Sequence, residues 1–130
     1  MFRIASGVVL AALLVSPPPC KPPALPDTSS GYYILKGCEM LAAGDVDHSW
    51  AHMGEDTTRQ LWTCGGAVKA TMQLMEIHHE YCPPEGFKNG EAFQVVGKYM
   101  QDHPEKLHQG FGFVIFEALQ KQWPCPKPDK

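Results

Sequence analysis

The sequence predicts an all-α domain, a small disulfide-stapled bundle of about four helices that follows an N-terminal signal and a Pro-rich linker. Three observations lead there. Apolar residues recur at steps of three and four along successive stretches, the spacing of a helix face. The one segment with strand character has no second strand candidate, and a lone strand has nowhere to place its backbone hydrogen bonds. Beyond residue 31 stand Cys38, Cys64, Cys82 and Cys125, which can crosslink helices in an exported chain of this size.

The first helix is expected in GYYILKGCEMLAAG, with Ile34, Cys38 and Leu41 on one face, Ser30 as N-cap and Gly44 as the C-terminal stop. Residues 44–58 are polar and interrupted, and read as a loop. Thr57 or Thr58 caps the second helix. Its stripe of Leu61, Gly65, Val68, Met72, Met75, His79 and Cys82 runs until Pro83 ends it. Gly65 and Gly66 each cost about 1 kcal/mol against alanine in a helix interior, which points to a neighbouring helix approaching closely there. The third helix, GEAFQVVGKYMQD, is capped by Asn89, turns Phe93, Val96 and Met100 inward and stops at His103 and Pro104. FGFVIF is rich in β-branched and aromatic residues but continues into the helix-forming EALQKQW. The fourth helix is therefore expected over residues 109–123, ended by Pro124.

A chain of 130 residues supports one core. Residues 1–16, MFRIASGVVLAALLVS, place Arg3 before an apolar run at residues 7–15, the layout of a secretory signal and too short to span a bilayer comfortably. Pro17 hinders cleavage after Ser16, which leaves a tethered form open. Residues 17–30, PPPCKPPALPDTSS, read as a linker, the folded domain is expected over residues 31–125, and residues 126–130 form a tail. The expected location is the periplasm, with membrane attachment only through an uncleaved signal or a lipid on Cys20. The prolines before Cys20 are unlike a usual lipidation site. A formal net charge of −3 without a basic stripe excludes a nucleic-acid footprint.

With Cys20 set aside, four cysteines allow three pairings. Cys64 and Cys82 fall at opposite ends of one expected helix, roughly 27 Å apart, whereas a disulfide needs Cα atoms within roughly 7 Å. Cys64 therefore pairs with Cys38 or Cys125. The preferred pairing is Cys38–Cys64 with Cys82–Cys125, and Pro83 and Pro124 then stiffen the backbone beside the second crosslink. No close CxxC or CxxxC pair is present to chelate zinc or to run redox chemistry.

The histidines give no firm site. His48 and His52 stand four apart near Asp45 and Asp47, but in a loop-like segment; His78 and His79 suit the last turn of the second helix, where a cation complements the dipole. GxSxG, HExxH and Gly-rich phosphate loops are absent, so no catalytic residue, metal or cofactor is expected.

The order of landmarks carries a resemblance. CGGAVKA opens the second helix, CPPEGF follows it, then come QVVGKYMQDHPEKLH and a terminal ALQKQWPC. Over residues 31–125 the chain resembles the Rap/Tai family of small periplasmic proteins, whose studied members are immunity proteins against type VI secretion amidase toxins. The resemblance implies an all-α bundle, often a homodimer, that binds a secreted peptidoglycan amidase and occludes its active site. It places the blocking surface on a loop between helices, here Asp102, His103, Pro104, Glu105, Lys106, Leu107 and His108. The loop at residues 44–58 is long for the family, and Trp50 and Met53 within it offer a partner patch of their own. The alternative is a periplasmic adaptor or chaperone-like module on the same bundle, without a cognate toxin.

Overall fold

The computed structural model describes residues 27–44 and 52–127. The signal segment, Cys20, most of the linker, His48 and Trp50 lie outside the described residues. Four helices follow one another: α1 (Gly31–Ala43), α2 (Glu55–Ile77), α3 (Asn89–Asp102) and α4 (Phe111–Gln122), with a 3-10 turn at Pro104–Lys106 between the last two. The described residues contain no strand beyond one isolated bridge, Ser30 to Gly110. FGFVIF is helical, as its continuation into EALQKQW predicts.

α1 begins at the expected Ser30, but the serine side chain makes no capping bond. The free N–H groups of the first turn are satisfied from another part of the chain instead. Gly31 N donates to Gln109 O at 2.9 Å and Tyr32 N to Leu107 O at 3.2 Å. At the other end Gly44 adopts φ 72°, the left-handed stop that a glycine provides.

α2 differs from expectation at both ends. Gly54, not Thr57 or Thr58, precedes its first residue, and Glu55 and Asp56 place two carboxylates on the positive end of the helix dipole. The helix stops at Ile77, five residues before Cys82. His79 takes φ 54°, Glu80 N donates to Met75 O at 2.8 Å and His79 N to Glu76 O at 3.2 Å. That bond pair is a Schellman stop with histidine where glycine is usual. His79 is thereby turned out to solvent, and the expected inward stripe ends at Met75. The chain then runs to Tyr81, which is buried, and Cys82, whose N–H donates to Trp123 O at 2.9 Å. Pro84, Glu85, Gly86 and Phe87 make a turn closed by Phe87 N to Pro84 O at 3.2 Å, with Gly86 at φ 82°.

α3 holds its expected face, and both α3 and α4 shift slightly at their boundaries: Lys88 stands at the N-cap of α3 and Gly110 at that of α4. Ile34, Val68, Val96, Met100, Ile115 and Leu119 are fully buried and form one core shared by all four helices. Burying each such side chain stabilises the fold by about 1.5–3 kcal/mol.

The close helix crossings fall at other glycines than expected. A Cβ at Gly66 would meet nothing, and one at Gly65 would make only ordinary contact with Leu41 at 3.6 Å. A Cβ at Gly37 would run into the Gln60 backbone of α2, and one at Gly97 would stand 2.6 Å from the Ala42 Cβ. α1 is gripped between α2 and α3 at these two points. Cys38 and Cys64, both buried, join α1 to α2 beside them, with Cα atoms 5.4 Å apart. Cys82 and Cys125 form the second crosslink, Cα atoms 4.9 Å apart. The preferred pairing is the one present. Its premise needs correction, since Cys82 lies in extended chain beyond the helix.

Candidate partner-binding surface

The segment between α3 and α4 starts where proline ends a helix. His103 is the C-cap of α3, and Pro104 begins the 3-10 turn, its fixed φ suiting a first helical position. Lys106 N donates to His103 O at 3.0 Å and Leu107 N to Pro104 O at 3.2 Å. Leu107 is 2% exposed and plugs the turn into the core, so of residues 102–108 it is the one that faces inward. Asp102, Pro104, Glu105 and His108 are exposed, while His103 and Lys106 are half-buried.

Three elements fix the turn from below. From α1, the Tyr32 hydroxyl donates to Pro104 O at 3.3 Å. From α4, Glu117 accepts from Lys106 Nζ at 3.0 Å and from the Tyr99 hydroxyl of α3 at 3.1 Å. Lys121 Nζ in turn donates to the Tyr99 oxygen at 3.2 Å and lies 5.1 Å from the centre of that ring. The His103 ring sits 4.3 Å from the Tyr99 ring and its Nδ1 is 3.1 Å from Glu105 Oε1. On the outer face of α3, Lys98 and Asp102 pair at 2.8 Å.

The charges follow these partners. The hydrogen bond from Lys106 holds the Glu117 carboxyl below the usual carboxylate range, and Glu117 holds the Lys106 ammonium above the usual lysine value. Glu105 is held low chiefly by its own backbone N–H and then by His103. At neutral pH the lysine of the turn is therefore matched internally, and the exposed carboxylate of Glu105 is the charge it presents outward.

The sequence singled out the turn but not its support. Tyr99, Glu117 and Lys121 come from two helices and sit at separations no local motif encodes; helical spacing from Tyr99 to His103 was the one available signal. Met53 is half-buried. Among the described residues, no group of three His, Cys, Asp or Glu side chains is placed to hold a metal ion, and no helix is long and apolar enough to cross a membrane.

The fold and this surface define a small, disulfide-stapled helical bundle that presents a rigid polar turn. A family model described as Rap1a immunity proteins matches residues 30–125. The chain belongs to that family, as its run of landmarks indicated. No curated protein matches the chain, and no solved structure does.

Proposed function

We propose that this chain is an exported immunity protein that binds a type VI secretion peptidoglycan amidase and occludes its active site in the periplasm. The turn at residues 102–108 is the blocking element, with Trp50 as a second contact. The observation that carries this reading is the rigidity of the turn. A loop already ordered by Pro104, Leu107, Tyr32 and Glu117 loses little conformational entropy on docking, so its contacts convert into affinity. Membership of an immunity family supports a toxin as the partner, and the family resemblance supports a homodimer as the assembly. Residues 1–16 serve export.

The test is affinity capture from secreted and periplasmic extract, followed by assay of the bound hydrolase on peptidoglycan. The expected result is one amidase, inhibited in stoichiometric amounts. Replacing Glu105, Lys106 and His108 together by alanine weakens binding by about a hundredfold or more, the effect of losing central contact residues. An amidase inhibited equally well by that variant would remove the turn from the interface.

The second reading, an adaptor or chaperone-like module, has its own observation. Leu74, Ile77 and Phe113 are large apolar side chains left 59%, 69% and 67% exposed. Capture of many unrelated periplasmic clients, lost on Phe113→Asp, would favour it.

A further inference from the structure

An open apolar groove of about 460 Å³ lies between the second half of α2 and the first half of α4. The buried Met75 and half-buried Phe116 line it, and Leu74 and Phe113 stand exposed along its edges. Gly112 leaves it wide, since a Cβ there would meet nothing within 4 Å. One end is acidic. Glu80 borders the groove and accepts from Gln120 Nε2 at 3.2 Å, but it has no ion-pair partner among the described residues. No lysine or arginine is among the described residues that line the groove. A cation brought there by an occupant that excludes water is screened less than one on the open surface.

We propose that this groove binds an extended segment of another protein in which large apolar side chains stand within about four positions of a lysine or arginine. The proposal rests on the second reading above, that this face takes other chains, and adds the chemistry those chains carry. The exposed Leu74 and Phe113 gain free energy as an apolar side chain takes them out of water. Met75 is an adaptable thioether that suits side chains of different shapes. The spacing ties the apolar contact to the charge. From Phe113 to Gln120, which holds Glu80, α4 rises about 10 Å. Extended chain advances about 3.3 Å per residue and turns alternate side chains to one face. An apolar residue on Phe113 and a cation on Glu80 therefore share a face when they stand two or four positions apart. A second copy presenting the same face brings another Glu80 and no cation, so charge disfavours it as the occupant.

Two peptides make the test, ALAFAKA and ALAFAEA, both acetylated and amidated. They are titrated into the isotopically enriched protein at pH 7.5, above the ordinary histidine value of about 6.5. ALAFAKA is expected to shift the amide signals of Leu74, Glu80, Phe113 and Phe116 saturably, and ALAFAEA to bind about fivefold more weakly. Glu80→Gln brings the two peptides to equal affinity. Gly112→Leu fills the groove without entering the core and removes the binding of both. Absence of saturable shifts at these four residues overturns the proposal, and so does binding that Gly112→Leu leaves intact. Equal affinity of the two peptides for the unsubstituted chain overturns it as well. Client capture that is lost on Phe113→Asp would still stand in that case, so the two readings fail separately. Broadening of the same signals as the protein is concentrated without peptide assigns the groove to a second copy and overturns the proposal too.

Discussion

Single atoms decide where α1 meets its neighbours. A methyl group at Gly97 would need the space held by Ala42 and Cys38 O. Gly97→Ala is expected to destabilise the fold by about 1–3 kcal/mol in urea unfolding, the range for an overfilled core, partly offset by better helix propensity. Gly66→Ala meets nothing and is expected to stabilise by about 0.5–1 kcal/mol. Gly37, Gly65, Gly66 and Gly97 are among the glycines of the helices, and propensity gives each of these four the same cost. Which two sit at crossings depends on how the helices lie against one another, and that is why Gly65 and Gly66 were the wrong pair. His79 tells the same lesson. No sequence signal marks a histidine for φ 54°, yet it completes the stop of α2. His79→Gly removes the strain of a left-handed side-chain-bearing residue, and a gain of about 1 kcal/mol in the same assay is expected.

At the scale of elements, the helices were legible because their breakers are chemical. Ser30, Gly44, Pro104 and Pro124 stand within two residues of the ends of α1, α3 and α4. The end of α2 was not, because the apolar stripe continues past the point where the fold needs extended chain. Cys82 has to reach Trp123 and Cys125, and that tertiary demand overrides five residues of helical pattern. The turn at residues 102–108 was legible as a proline-marked connection, while the polar set beneath it was not. That set gives the molecule a pH signature. Glu117 has a depressed folded-state pKa, so its contribution is full above the ordinary glutamate value of about 4.3 and is lost as pH falls through the folded value. Lys106 is raised, so its contribution holds below the ordinary lysine value of about 10.4 and is lost as pH rises through the folded one. Glu117→Gln is expected to remove both limbs. Thermal midpoints measured against pH will then change less at the acid and alkaline extremes, with a small effect at neutrality because the pair is partly solvated.

For the whole molecule the two crosslinks have different duties. Cys38–Cys64 is sealed in the core, whereas Cys82 is exposed and its bond with Cys125 closes the outer corner against Trp123. A mild reductant is expected to open Cys82–Cys125 first. Alkylation followed by mass spectrometry will show thiols at Cys82 and Cys125 while Cys38 and Cys64 stay protected until global unfolding. By chain entropy alone the two bonds, closing spans of 26 and 43 residues, stabilise by similar amounts, about 3.5 and about 4 kcal/mol. Burial, not span, sets their order of loss. The same positions set an order in time. A chain that enters an oxidising compartment N-terminus first can join Cys38 to Cys64 before α3 and α4 have followed. Cys82 must wait for Cys125, 43 residues further on. Early closure of the inner bond takes two thiols out of circulation before the outer pair is complete, so the chain reaches its final oxidation step with fewer wrong partners left to choose.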